Sequence, residues 1–371
     1  MELTFSAPCI FGLEGLCANE LKFLGLKNVR AENGRVLFDG GFPDLARASI
    51  NSRYAERIQI LLAEFEARTF DELFENVKAI EWERFIGISD AFPVKGSCVS
   101  SQLMSMPDCQ KIIKKAAVDR LSQKYMLSWF EETGPVRQIQ FLILKDKVSI
   151  MLDTSGAGLH KRGYRAEAND APLKETLAAA MAELAMVRPN HFVVDPMCGS
   201  GTILIEAAMK ALRIAPGLNR CFACEKWSCV PEGVFDEERE LARSRINRDC
   251  SFRAEGFDID ESALITARKN AGIAGVGDRI TFTRRDIRDY VPPEGYATLI
   301  TNPPYGERML SVSEAERLYA VMGEKFVRER GKSYTVITPD DDFEAVFGRK
   351  ADKRRKVYNG MLKCQIYMYF K

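Results

Sequence analysis

The chain has 371 residues, 46% hydrophobic and 28% charged, with a formal net charge of +1. That length can fill two or three domains, each with its own core, and the composition is that of an ordinary soluble globular protein. No apolar stretch approaches the ~20 residues that cross a bilayer, and the opening MELTFSAPCIFGLEGL has no basic segment ahead of an apolar run, so we expect a cytoplasmic protein without a membrane partner.

Residues 1–65 read as a small α+β unit. TFSAP is a strand, EGLCANELKFLGL a helix with apolar residues three and four apart, GRVLFDG a strand, and PDLARASINSRYAERIQILLAEF a second helix. Residues 66–155 repeat the alternation with other content. FDELFENVKAIEWERFI starts helical, CQKIIKKAAVDRLSQKY is an amphipathic helix, and VRQIQFLILKDKVSIMLDTS makes two strands about a turn at Lys145–Lys147. The amphipathic helix carries Lys111, Lys114, Lys115, Arg120 and Lys124 against the single acid Asp119. Such a stripe serves either as a solvated helix face or as a seat for a phosphate backbone.

The next stretch, GLHKRGYRAEANDAPLKETLAAAMAELA, begins basic and becomes an alanine-rich helix after Pro172, whose missing donor does no harm near a helix start. A domain boundary belongs near HKRGYR, which leaves residues 156–371 as a linker and third domain. His160, Lys161, Arg162 and Arg165 in that linker either contact phosphate or brace the domains. From residue 191, strand and helix alternate: HFVVD before a glycine turn, RAEGFDID, RITFTRRDIRDY, TLITNPPYG and SYTVITPD. This pattern predicts an α/β domain, a mostly parallel sheet covered on both faces. RKVYNGMLKCQIYMYF sets Asn359-Gly360 between two apolar runs and adds an antiparallel hairpin.

Ten cysteines follow no regular framework and read as reduced thiols. Cys221 and Cys224 form a C-x-x-C pair, but Cys229 and Cys250 do not supply the second close pair of a structural zinc site, and we expect no metal.

In an open α/β sheet, ligands bind beyond the carboxyl ends of the strands, where four distinctive segments fall here. The first runs Asp195, Pro196, Met197, Cys198, Gly199, Ser200, Gly201, Thr202, and its glycines let a ligand lie against the backbone. The spacing is neither the pyrophosphate-binding G-x-G-x-x-G nor a P-loop. Asp258 ends the second strand, where an acid accepts from both hydroxyls of a ribose, and Asp260 is the N-cap of the helix that follows. Asp286 ends the third; it either accepts from an adenine amine while Ile287 packs on the ring, or caps a turn. Together these describe a pocket for an adenosine without phosphates. Cys198 is a small packing residue there and not a nucleophile. The fourth segment, TNPPYG at 301–306, ends a buried strand with two prolines between an amide and a phenol.

The glycine turn, the successive acids, NPPY and the terminal hairpin resemble a class I S-adenosylmethionine-dependent methyltransferase, and NPPY is similar to the amino-methylating groups among them. The front units resemble a ferredoxin-like domain and a THUMP RNA-binding domain. With DTSGAGLHKRGYRAEANDAPLKETLAAA, almost the whole chain resembles the RlmL-type ribosomal RNA guanine-N2 methyltransferases. The resemblance implies a Rossmann-like domain with a seven-stranded sheet and S-adenosylmethionine as cofactor. It adds Ile259 and Thr176 to the pocket, with Lys174, Glu175 and Thr176 opening a helix beside its methionine end. Asn302 closes that pocket and, with Pro303, Pro304 and Tyr305, carries the chemistry. The amide oxygen of Asn302 and the carbonyl of Pro303 accept the two N–H groups of the target amine, and Tyr305 stacks on the base. Neither His160 nor His191 is needed as a base.

The implied partner is RNA, most directly 23S ribosomal RNA, free or in an assembly intermediate, contacted through Lys111, Lys114, Lys115, Lys161, Arg162 and Arg165. Some family members carry a second methyltransferase domain after this one; the chain ends without it, so a second modification is not implied. A tRNA guanine-N2 methyltransferase shares the same modules. A protein glutamine methyltransferase shares the NPPY chemistry but not the front 155 residues, and a noncatalytic RNA-binding scaffold would not need Asp258, Asn302, Pro303 and Tyr305.

Overall fold

The computed structural model describes residues 2–165, 173–305 and 312–370, which form two seven-stranded sheets. The chain begins with β1 (Leu3–Pro8), α1 (Glu14–Phe23), β2 (Lys27–Glu32), β3 (Arg35–Gly40), α2 (Phe42–Asn51) and β4 (Gln59–Glu66). The helix expected through PDLARASINSRYAERIQILLAEF stops at Asn51, and QILLAEFE is a strand. At Ser52 the backbone turns extended, and β4 is then taken up between β1 and β7 (Lys147–Asp153), with a partner on each side. A short apolar run reads equally well as helix or central strand, and the neighbours decide. The unforeseen β2 is an edge strand whose residues are mostly exposed, so it carries no apolar alternation to read.

The chain continues through α3 (Phe70–Lys78), β5 (Val94–Val99), α4 (Met106–Tyr125), β6 (Ile139–Leu144) and β7. Thr69 caps α3 by accepting from the Glu72 N–H, and the Glu72 carboxylate returns to the cap backbone. Lys145 and Asp146 form the expected turn between β6 and β7 with left-handed backbones. Because β4 pairs with β7, the first two units share one sheet, ordered β2-β3-β1-β4-β7-β6-β5, and residue 65 falls inside β4.

The third unit contains α5 (Glu175–Leu184), β8 (Phe192–Asp195), α6 (Thr202–Ala211), α7 (Val234–Ser244), β9 (Arg253–Asp258), α8 (Glu261–Ile273) and β10 (Ile280–Arg284). It ends with β11 (Ala297–Thr301), α9 (Val312–Lys325), β12 (Lys332–Thr338), α10 (Phe343–Phe347), β13 (Lys353–Asn359) and β14 (Leu362–Phe370). The sheet order is β10-β9-β8-β11-β12-β14-β13, parallel from β10 to β12 and antiparallel at β14, with Gly360 at the hairpin turn. All five residues of β11 are buried, as expected of a strand covered on both faces. The order in which successive strands are added reverses between the parallel neighbours β8 and β11, and this switch opens a crevice at the carboxyl ends of the strands. Pro172, expected near the start of α5, lies outside the described residues.

Front and rear units meet through directed polar contacts. Arg53 donates to the carbonyls of Met209 (3.3 Å) and Ile214 (2.8 Å). Arg137, buried, pairs with Asp90 at 2.8 Å and lies over the Trp227 ring. No helix among the described residues is long and apolar enough to cross a membrane. Within the same residues no three His, Cys, Asp or Glu side chains gather at metal-binding distance; Cys224 and Cys250 are buried and Cys221 is exposed.

Candidate active site

Asp195, at the end of β8, is 1% exposed. One oxygen accepts from the Thr301 hydroxyl (2.8 Å) and the Met197 N–H (3.2 Å), tying the ends of β8 and β11 across the switch point. Burial pushes its carboxyl up to about 7; the two donors hold it back, and the nearby charge of Asp258 raises it again. The turn that follows is pinned by the Cys198 N–H on the Phe257 carbonyl and the Gly199 N–H on Asp258 (2.8 Å each).

The two glycines of that turn have different reasons to be glycine. Both have left-handed backbones. A Cβ on Gly201 would meet the Phe282 ring at 3.0 Å and Ala267 at 3.1 Å, whereas one on Gly199 would meet nothing within 4 Å. Gly201 lets α6 pack, and Gly199 leaves an open face of backbone beside Asp258. Cys198 is buried, and burial pushes its thiol well up, which removes it as a nucleophile. Asp258 also accepts from the Asp260 N–H, and Asp260 caps α8 through Ser262. Carboxylate oxygens take about four hydrogen bonds in all, so Asp258 keeps capacity for a ribose.

At β10 the cap reading of Asp286 is the one found. Its oxygens accept from the backbone, Nε and Nη2 of Arg288, whose hydrogen bonds hold the carboxyl below its usual range. Ile287 packs into the core with Val194, Phe257 and Tyr290, while Ile259 stands 63% exposed at the end of β9. Thr176 is also turned elsewhere: its hydroxyl donates to Glu56 of the front unit, beside Lys174, whose ammonium meets the same carboxylate at 2.9 Å. The start of α5 reaches the glycine turn through a different residue. Arg165 donates to Glu175 (3.0 Å), to the Leu173 carbonyl (3.2 Å) and to the Thr202 hydroxyl (3.3 Å).

Three of the basic residues expected on RNA are therefore corrected. Arg165 braces the glycine turn. Arg162 is 4% exposed, donates to the carbonyls of Leu159 (2.7 Å) and Arg53 (2.6 Å), and faces buried Glu206 at 3.6 Å. Lys114 donates to the Phe92 carbonyl and Glu132 and sits 3.4 Å from the centre of the Phe92 ring. Cations engaged in this way are not free to meet a phosphate. Lys111, Lys115 and Lys161 are exposed.

Beyond Thr301, the buried Oδ1 of Asn302 has no hydrogen-bond partner among the described residues. Leaving such an acceptor unpaired costs about 1–3 kcal/mol, a cost that a donor on a ligand would relieve. Pro303 is buried. The Tyr305 hydroxyl accepts from Asn359 at the tip of the β13–β14 hairpin (3.1 Å), and burial pushes the phenol up to about 12. Gly306 lies outside the described residues. Thr301, Glu56 and Asn359 as site residues were missed by sequence reasoning, while the bracing role of Arg165 was one of the two readings left open for the linker. Only Thr301, adjoining NPPY, carried a local signal; the others are set by contacts distant in sequence.

The residues present fit S-adenosylmethionine: an open backbone face at Gly199, an acid at the end of β9 with acceptor capacity, and no phosphate-binding loop. With the parallel order from β10 to β12 and the antiparallel β14, this places the protein among the class I S-adenosylmethionine-dependent methyltransferases. The RMKL-like methyltransferase domain matches residues 162–368, the RlmL ferredoxin-like domain residues 4–59, and a THUMP domain residues 67–153. The chain belongs to this RlmL-type, THUMP-containing methyltransferase family.

YpsC of Bacillus subtilis (strain 168), provisionally named an RNA methyltransferase, is 41% identical over 369 residues, 99% of this chain and 96% of that one. The ribosomal RNA large subunit methyltransferase K/L of Psychromonas ingrahamii is 35% identical over 99% of this chain and 50% of its own length. The chain thus spans about half of that relative. The crystal structure of SMU.472, provisionally described as a methyltransferase and solved with SAH, has a TM-score of 0.93 at 41% identity, covering 100% of this chain and 98% of that one.

Proposed function

We propose that this methyltransferase acts on RNA in the cytoplasm and methylates the exocyclic N2 of a guanosine, with 23S ribosomal RNA, free or in an assembly intermediate, as its substrate. The observation that carries the reading is the buried Oδ1 of Asn302 at the end of β11, which has no hydrogen-bond partner among the described residues. The THUMP domain and the names of the K/L relatives support RNA over a protein amide. The match to the RlmL ferredoxin-like domain favours ribosomal RNA over tRNA.

The turn at Gly199–Gly201 and the acids Asp195 and Asp258 would hold S-adenosylmethionine, which supplies an electrophilic methyl group on sulfur. The amine on guanine is a weak nucleophile because its lone pair is delocalised into the ring. Asn302 Oδ1 and the Pro303 carbonyl accept its two N–H groups and direct the lone pair out of the ring plane. Pro303 and Pro304 restrict the backbone, so these acceptors are in place before the base arrives. The base must leave its stack to reach them, and Tyr305, steadied by Asn359, offers a ring against which it stacks, worth about 1–3 kcal/mol. A methylated exocyclic nitrogen sheds its proton readily, so no side-chain base is required; His160 sits beside Glu56, and His191 meets the Thr298 hydroxyl.

Asn302→Ala tests the assignment. By analogy with removal of one preorganised hydrogen-bonding group, single-turnover transfer falls about 10²–10³-fold, while S-adenosylmethionine affinity by calorimetry stays within about twofold. Unchanged transfer in this variant would overturn the role of Asn302.

A further inference from the structure

We propose that Phe11 and Tyr358 form a two-ring stacking platform at the junction of the front unit and the methyltransferase domain, and that with Lys356 it holds the nucleotides flanking the target base. The inference rests on RNA as the substrate and names how the strand is led to the catalytic loop.

β13 is the outer strand of its sheet and carries Lys353, Arg354, Arg355 and Lys356 in succession, all exposed. Two are committed locally: Arg354 pairs with Glu344, and Arg355 donates to the Gly12 carbonyl at 2.9 Å. Lys353 and Lys356 have no carboxylate partner among the described residues; Lys356 lies 5.6 Å from the centre of the Tyr358 ring. Val357 is fully buried, so by strand alternation its neighbours Lys356 and Tyr358 share the opposite face.

The front unit meets this face at the turn after β1. A Cβ on Gly12 would stand 2.3 Å from the Lys356 carbonyl oxygen, so the two backbones approach as closely as glycine permits. Beside it Phe11, half exposed, meets Tyr358 edge to face at 6.0 Å between ring centres. Two aromatic rings presented with an unpaired cation are the recurring means of holding single-stranded nucleic acid, since every base has a face to stack and every nucleotide a phosphate. The strand leads to the chemistry: the residue after Tyr358 is Asn359, which donates to the Tyr305 hydroxyl of the catalytic loop. Charge and ring content together select a single-stranded RNA over an apolar or acidic protein surface.

The test uses the full chain and a fluorescently labelled 12-nucleotide RNA, uridine throughout except for one central guanosine, titrated by anisotropy. Phe11→Ala and Tyr358→Ala are expected to weaken binding about 5- to 100-fold each, and Tyr358→Phe, which keeps the ring, to bind as the native protein does. Lys356→Ala should lower the slope of log affinity against log salt by about 0.7, the value for one phosphate on a single strand. S-adenosylmethionine affinity, measured in parallel, should be unchanged in all four variants, which separates a contact to RNA from a loss of fold. If the native protein binds the RNA and both alanine variants bind it equally well, the platform is wrong and the proposed function stands. If the native protein binds S-adenosylmethionine but not the RNA at low salt, both fall.

Discussion

Replacing Asp195 with asparagine should make the protein more stable at alkaline pH than the native chain. The carboxyl is 1% exposed and burial moves it from 3.8 to about 7. Because the folded protein holds this proton more tightly than the unfolded chain, the associated stability is fully present below about pH 4 and is lost as pH rises through 7. Between pH 5 and pH 8 the loss amounts to about 3 kcal/mol, from 1.36 kcal/mol per pH unit over the two units in which the folded and unfolded states differ. Asparagine keeps an oxygen for the Thr301 hydroxyl and the Met197 N–H but does not titrate. For a unit of roughly 200 residues, that energy corresponds to about 5–10 °C in Tm. Thermal unfolding of the native and Asp195→Asn proteins at pH 5, 6.5 and 8 should therefore show the gap between their Tm values shifting toward the variant by that amount. Parallel pH profiles would refute the buried titrating carboxyl.

The two glycines of the cofactor turn should separate stability from binding. Both alanines would sit on left-handed backbones, a cost of about 1–2 kcal/mol; Gly201→Ala, also forced against Phe282 and Ala267, should lose about 1–3 kcal/mol more, whereas Gly199→Ala should lose only the first and weaken S-adenosylmethionine about tenfold, about 1.4 kcal/mol; calorimetry and thermal melts read the two effects separately. At Glu56, burial would raise the carboxyl, but the neighbouring His160 and the hydrogen bonds from Thr176 and Lys174 outweigh it and hold the group at about 2. The stability it supplies is present above pH 4.5 and lost as pH falls toward 2, so Glu56→Gln should flatten the acid limb of the stability profile by up to about 3 kcal/mol. Tyr305→Phe keeps the ring and loses the hydrogen bond from Asn359, about 1 kcal/mol; turnover should fall only a few-fold, against a much larger loss in Tyr305→Ala.

The parallel strands and the glycine turn were legible because their signals are local. Strands such as ATLIT carry no charge and are buried along their whole length, and the turn residues follow one another in the chain. Asp260 and the Asn359-Gly360 turn were legible for the same reason. What the sequence hid was set by distant partners. QILLAEFE became a strand because β1 and β7 flank it, a pairing between residues some ninety positions apart in the case of β7. The basic linker read equally as an RNA contact or a brace, and the buried carbonyls around Arg162 and the Thr202 hydroxyl at Arg165 decided for the brace. Asp286 is held as a cap because Arg288, two residues on, supplies donors to both of its oxygens. The role proposed for the amide at 302 came from its motif, but only the packed structure shows its oxygen buried and without a partner among the described residues.

The proposed activity is methylation of guanine N2 in ribosomal RNA. The most direct test is nucleoside mass spectrometry after incubating the purified protein and S-adenosylmethionine with unmodified 23S ribosomal RNA and, separately, unmodified tRNA. N2-methylguanosine is expected in the ribosomal RNA and none in the tRNA. N2-methylguanosine in tRNA alone, or a methylated nucleoside other than N2-methylguanosine, would contradict it.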